Sequence, residues 1–323
     1  MKPFTWADGD RVIHFGPGTG ERAWPGADLL STPRARESIP PSLRESWRSV
    51  HDVPAGQVVD AAAVLVDVVG EGPVVAWGGG RVIDTAKAVA AARGGRVCAV
   101  PTTLSGAEMT TGHRLVPGYE DRGRHRPVLV LADPALMTGQ ADVARRASAM
   151  NALAHAAEAL YGPAANPVAT MVAAAAAGMI AHGLEPGAPD WVDQLALGAL
   201  LAAYAMDSAG YSLHHVLCQT IVRMCATPHA ATNAAMLPHV LVVMHRREPA
   251  AVEALAAAID VPVEGIAARV AEIGGGIRRL SELGVIEAQL GPVADAALDR
   301  PELRQMTPPP GHDELVSLLR RAL

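Results

Sequence analysis

The chain has 323 residues, half of them hydrophobic but only 3% aromatic, and a formal net charge of −6. That length supports two domains and a large core, and Ala-rich apolar content favours closely packed helices over an aromatic-rich sandwich. The acidic balance, with no basic run beyond Arg122-Gly-Arg124-His-Arg126, argues against a nucleic-acid partner.

Three cysteines, Cys98, Cys218 and Cys225, form no CxxC pair, which argues against disulfides and for a reducing cytoplasm. Met1–Asp8 has no apolar signal core, and the small-apolar run Met171–Ala181 falls short of the ~20 residues that span a bilayer. No membrane partner is expected.

Over residues 1–142, short apolar runs alternate with helical patterns. Strands are expected at Arg11–Phe15, Asp28–Ser31, Pro73–Trp77, Val97–Val100 and Val128–Leu131, with helices at Val58–Val69 and Asp84–Ala92. Thr32–Gly56, rich in proline and charge, reads as irregular with one short helix. Strand–helix–strand spacing of this kind gives a mostly parallel sheet. Over 143–323 helical periodicity takes over: 143–161, 166–183, 192–206, 210–225, 230–247 and 249–259, then Asp313–Leu323 after Pro308-Pro-Pro310. The expectation is an α/β dinucleotide-binding domain (1–142), an all-helical substrate domain (143–323) and an active site in the cleft between them.

Two turns carry the nucleotide reading. Val74-Val-Ala-Trp-Gly78-Gly79-Gly80 runs from a strand through three glycines into a helix holding Asp84 and Lys87. Glycines admit a pyrophosphate close to backbone amides at a helix start, and they serve equally in a purely steric turn. Asp84 and Lys87 likewise fit a helix cap and a solvated residue. The second turn, Pro101-Thr102-Thr103-Leu104-Ser105-Gly106-Ala107-Glu108, offers hydroxyls to phosphate or ribose, and Ser105 with Glu108 also fits a capping box. Two such turns after successive strands favour a dinucleotide, since ligands gather at the carboxyl ends of parallel strands.

In the helical half, Asn151-Ala-Leu-Ala-His155 sets two polar side chains four apart, on one helical face. His215 lies in Leu213–Gln219 and His229 follows Thr227-Pro228, where proline suits a first helical turn. Four such positions hold a divalent metal when the first is a carboxylate. Here it is an amide, so no metal is expected. Taken alone, His155 reads as a satisfied core histidine and His214 as a residue pointing away; only the set argues for a site. Without a metal, imidazoles polarise a carbonyl and attract a carboxylate-bearing substrate.

These segments together are similar to the iron-containing alcohol dehydrogenase superfamily, which has the dehydroquinate synthase-like fold. Gly78-Gly-Gly-Arg-Val-Ile-Asp-Thr-Ala-Lys87 resembles its GGGSxxDxAK loop, Pro101–Glu108 its PTTxxxSE turn with Ala107 for Ser, and Asp133-Pro134 its DP corner. Within it the chain resembles the maleylacetate reductases most, through Asn151, Leu30-Ser-Thr-Pro33 and His214-His-Val-Leu-Cys-Gln219. The resemblance implies NADH or NADPH, held through Ser31, Thr32, Gly78, Gly79, Gly80, Asp84, Lys87, Thr102, Thr103 and Ser105. It implies a catalytic set of Asn151, His155, His215, His229 and Gln219, a homodimer, no required metal, and reduction of the double bond of maleylacetate to 3-oxoadipate.

Departures from that pattern keep other functions open. Gln219 replaces a histidine, Val222-Arg223 a Gly-Gly pair, and Leu104 a tyrosine. A tailoring alcohol or aldehyde dehydrogenase, or a catalytically silent subunit of a complex, would account for these changes. Ser31 and Thr32 would not repel a 2′-phosphate, and Arg34 would suit one, so NADH and NADPH both remain.

Overall fold

The computed structural model describes residues 1–276 and 279–323. It divides into two compact units, Met1–Gln140 and Ala141–Leu323.

The first unit contains a seven-stranded sheet: β1 (Phe4–Asp8), β2 (Arg11–Phe15), β3 (Asp28–Ser31), β4 (Ser49–Asp52), β5 (Val74–Gly78), β6 (Val97–Pro101) and β7 (Leu129–Ala132). The spatial order is β1-β2-β7-β6-β5-β3-β4. β1 and β2 pair antiparallel and all other pairs are parallel. β5 and β6 are buried at every position, as central parallel strands covered on both faces must be; their unbroken apolar runs meet that need. The sequence reading omitted β1 and β4, the two edge strands. Ser49-Val-His-Asp52 has one apolar residue and is defined by pairing with β3, so a strand lies inside the stretch expected to be irregular.

The helices of this unit are α1 (Pro33–Arg36), α2 (Val58–Leu65), α3 (Gly80–Arg93) and α4 (Pro134–Thr138). α3 starts four residues before its expected start, because Gly79 serves as its N-cap and Gly80 as its first residue. From β3 the chain goes outward to β4; from β5 it goes the other way, through β6 to β7. That reversal is a topological switch point, and the carboxyl ends of β3 and β5 flank the crevice where open α/β sheets take ligands. Register sets Ser31 beside Trp77 and Gly78 beside Pro101, so the turns that follow leave the sheet at one level.

The second unit is helical throughout its described residues. It comprises α5 (Asp142–Tyr161), α6 (Pro167–Leu184), α7 (Trp191–Ala209), α8 (Leu213–Cys225), α9 (His229–Arg247), α10 (Pro249–Ala258), α11 (Ile266–Gly274), α12 (Leu290–Leu298), α13 (Pro301–Arg304) and α14 (His312–Ala322). α5, α6 and α7 pack on one another through fully buried alanines such as Ala156, Ala173, Ala176 and Ala202; small side chains let helix axes approach closely. α8 begins at Leu213, later than its pattern suggests, because Gly210 takes a left-handed φ of 76° and ends α7. α6 extends beyond the run Met171–Ala181 and is long and apolar enough to cross a membrane by length and composition, with a mean hydropathy of 1.5. In the structure it packs as a core helix against α5 and α7.

Candidate functional site

A groove of about 490 Å³ opens at the switch point, lined from β3 by Thr32 and Arg34, from the glycine turn by Gly79, Gly80 and Arg81, and from β6 by Thr102 and Thr103. No side chain caps the N-terminus of α3, so the first-turn amides of a 14-residue helix face the groove with the dipole favouring an anion. Thr103 Oγ1 is buried beside them with no hydrogen-bond partner among the described residues. The glycines are also required sterically. A Cβ on Gly79 would lie 2.8 Å from Thr103 Cγ2, and one on Gly80 would lie 2.9 Å from the Ser105 side chain. The tight-packing reading of the triple glycine is therefore met at this turn. These residues fit a dinucleotide pyrophosphate.

Other residues expected at the cofactor have different work. Ser31 is fully buried and donates to the Trp77 carbonyl at 2.7 Å, tying β3 to β5. Lys87 is fully buried. Its ammonium donates to the carbonyls of Ala107, Thr110 and Gly112 and pairs with Asp84 at 2.7 Å. Lys87 and Asp84 thus hold the second turn in place rather than line the groove. Ser105 Oγ accepts from the Ala107 amide at 3.4 Å, and no helix begins there, so the capping box does not form. Gly78 ends β5 with its carbonyl accepting from the Thr102 amide.

In the second unit, α5 and α8 bring Asn151, His155 and His215 into one buried layer. His155 and His215 stack with ring centroids 4.7 Å apart. Asn151 Oδ1, His155 Nδ1 and His215 Nε2 are buried and have no hydrogen-bond partner among the described residues. Three unsatisfied polar atoms in one layer are costly unless a ligand meets them. His229, the first residue of α9, is exposed, yet close enough that its charge depresses the pKa of His155, His214 and His215. His214 turns to Asn233 Oδ1 at 2.8 Å and is fully buried, so it takes the structural role expected of it.

The residue that sequence reasoning missed is Glu158. It is fully buried, accepts from the backbone amides of Ser212, His214 and His215, and shares a hydrogen bond of 2.6 Å with His215 Nδ1. Its signal was present: position 158 follows His155 by three and Asn151 by seven, so all three share a helical face. A glutamate in an Ala-rich buried stripe needs a partner. Burial pushes Glu158 up to about 7, against the pull of His214 and the backbone amides. Burial and then His229 push His215 down to about 3, and burial with its neighbours holds His155 well below its usual value.

Burial thus favours the neutral form of His155 and His215, which can donate or accept. Arg223 is exposed on the last turn of α8, ~12 Å along the helix from His215 at 1.5 Å per residue. The guanidinium near this layer belongs to Arg300. It donates to Gln219 Oε1 at 3.2 Å and to the Tyr211 hydroxyl at 3.1 Å, and it pairs with Glu302 at 2.8 Å. Tyr211, whose ring lies 6.1 Å from that of His215, donates in turn to Glu302. Gln219 is thus an acceptor clamped by a cation.

A divalent metal fits this donor set poorly. Asn151 offers an amide oxygen, the imidazoles are neutral, and the one carboxylate of the layer, Glu158, is committed to three amides and Nδ1. Nothing anionic remains to offset a 2+ charge.

Comparison with known proteins agrees with this architecture. Residues 146–323 match the family model for the C-terminal region of the Fe-containing alcohol dehydrogenase family. The chain is 35% identical over 243 residues to maleylacetate reductase 1 of Rhodococcus opacus, covering 71% of this chain and 67% of that protein. It is 34% identical over 280 residues to maleylacetate reductase 2 of Cupriavidus pinatubonensis, covering 79% and 77%. The crystal structure of a maleylacetate reductase from a Rhizobium species superposes with a TM-score of 0.83 at 27% identity, covering 100% of this chain and 99% of that one. Sequence and fold converge: the chain belongs to the Fe-containing alcohol dehydrogenase family and is an oxidoreductase.

Proposed function

We propose that the protein is a metal-independent, NAD(P)H-dependent reductase of a carboxylate-bearing enone or ketone, of the maleylacetate type. The first unit is its dinucleotide-binding domain, with the pyrophosphate over the first turn of α3. The helical unit is its substrate domain. The observation that carries the reading is the buried Glu158–His215 pair with Nε2 left unsatisfied.

Bound NAD(P)H supplies the hydride. The chain's own residues supply the proton and the polarising contacts. When Glu158 carries a proton, its O–H donates a hydrogen bond to a bare His215 Nδ1, and Nε2 bears the hydrogen that faces the layer. Nε2–H polarises the substrate carbonyl and then passes its proton to the developing anion. Nδ1 takes the proton from Glu158 in the same exchange. Histidine stays neutral throughout, and the new carboxylate is met by three backbone amides. His155 and Asn151, one turn apart on α5, orient the substrate through their unsatisfied atoms. Gln219 sets the floor through Arg300 and has no proton to give.

The relatives named for maleylacetate favour that acid as substrate. A second reading is a neutral ketone or aldehyde, because Glu302 already balances Arg300. Steady-state oxidation of NAD(P)H with maleylacetate, after exhaustive chelation, tests the first. Activity lost on chelation and restored by zinc or iron would remove the metal-independent mechanism. Turnover of uncharged carbonyls alone would favour the second. A reducing cytoplasm suits the free thiols of Cys98, Cys218 and Cys225. The exposed Val168 and Met171, three apart on α6, suit a homodimer contact, which sedimentation of wild type and Met171→Glu tests.

A further inference from the structure

We infer that this chain prefers NADPH to NADH, with Arg34 and Arg81 holding the 2′-phosphate of its adenosine ribose. The inference rests on the cofactor reading above and concerns the β3 wall of the same groove.

In open α/β sheets a ribose diol is read by an acidic side chain near a strand end, and a 2′-phosphate by an arginine. The groove has no carboxylate in its lining. Nearby acids are engaged elsewhere: Asp52 by Arg36, Asp84 by Lys87, and Asp133 by the amides of Gly18 and Ala135. The neutral groups of the β3 wall are also committed. Ser31 donates to the Trp77 carbonyl, Thr32 Oγ1 accepts from the Ala35 amide, and Ser38 Oγ donates to the Ala35 carbonyl and accepts from Trp77 Nε1. Among the described residues, no carboxylate on this wall is placed to receive the two ribose hydroxyls of NADH.

What the wall does offer is two guanidiniums. Arg34 and Arg81 both line the groove, one after β3 and the other in the first turn of α3. Arg34 is exposed. Arg81 Nε is buried with no partner among the described residues. Two planar donor forks on one groove, with no acid beside them, match a dianionic phosphate and mismatch a neutral diol.

The test is equilibrium binding, by calorimetry or by nicotinamide fluorescence, with NADPH, NADH, adenosine 2′,5′-bisphosphate and adenosine 5′-monophosphate. A charge-assisted hydrogen-bond pair predicts NADPH tighter than NADH by roughly 10- to 100-fold, with the bisphosphate tighter than the monophosphate in the same ratio. Arg34→Ala and Arg81→Ala should each shrink the NADPH:NADH ratio, and Arg34→Glu should invert it. Arg34 is exposed, so the unfolding midpoints of its variants should stay near wild type. Equal affinity for the two cofactors in wild type, or a ratio unchanged in both alanine variants, overturns the assignment while leaving the cofactor site standing. Binding of none of the four probes overturns the cofactor reading and this inference with it.

Discussion

Glu158→Gln separates a proton relay from a structural glutamate. The two side chains have nearly the same shape. The Gln oxygen keeps the amides of Ser212 and His214, which lie 3.1 and 2.8 Å from Glu158 Oε1. Its NH2 replaces Oε2 and faces His215 Nδ1, 2.6 Å away in the wild type. Nδ1 must then accept, so His215 is locked with its hydrogen on Nε2. It still polarises a carbonyl, but a proton given away from Nε2 is no longer replaced through Nδ1. Substrate KM should change little. kcat should fall by about 10²–10⁴, the usual worth of general acid–base assistance, equivalent to roughly 3–5 kcal/mol of barrier. The fold loses one charge-assisted bond and gains a close approach of NH2 to the His215 amide, about 1–2 kcal/mol, or a fall of ~2–8 °C in Tm for a domain of this size. Stopped-flow NAD(P)H oxidation, a cofactor titration and a thermal melt together measure all three. A folded variant with kcat within threefold of wild type, at an equal cofactor Kd, would refute the relay.

Three further outcomes are expected. Because burial sets Glu158 at about 7, it carries its proton below that pH and loses it above; reductive kcat should be level on the acid side and fall as pH rises through 7, and a kcat that rises across that range would contradict the assignment. Gln219→His alone should not raise kcat, since an imidazole beside the Arg300 guanidinium cannot hold a second proton; Gln219→His with Arg300→Gln should raise it, and a gain from the single variant would show that Arg300 does not clamp this position. Gly79→Ala has an unstrained backbone at φ −80°, so its cost is the 2.8 Å approach to Thr103 Cγ2; cofactor binding should weaken by roughly tenfold, about 1.4 kcal/mol, with partial recovery when Thr103→Ser removes that methyl, and wild-type affinity in Gly79→Ala would show that the turn has room to spare.

The sequence by itself determined what local patterning controls. Apolar runs such as Pro73–Trp77 and Val97–Val100 read as strands of a mostly parallel sheet, whose faces are both buried, and the long Ala-rich segments read as helices by their period and length. Motif order brought Gly79, Gly80, Thr102 and Thr103 into one nucleotide reading, and the four-residue spacing put Asn151 and His155 on one face. Tertiary structure decided the rest. β4 exists because β3 offers it an edge, not because Ser49-Val-His-Asp52 prefers to be extended. Lys87 looked like a phosphate ligand, yet three carbonyls brought together from Ala107, Thr110 and Gly112 claim its ammonium. The spacing left the protonation state of His155 and His215 open, and burial favours the neutral form. Glu158 meets His215 from 57 residues away, and Arg300 reaches Gln219 from 81. Charge state and partnership depend on desolvation and on which distant groups share a cavity, and neither quantity exists until the helices have packed.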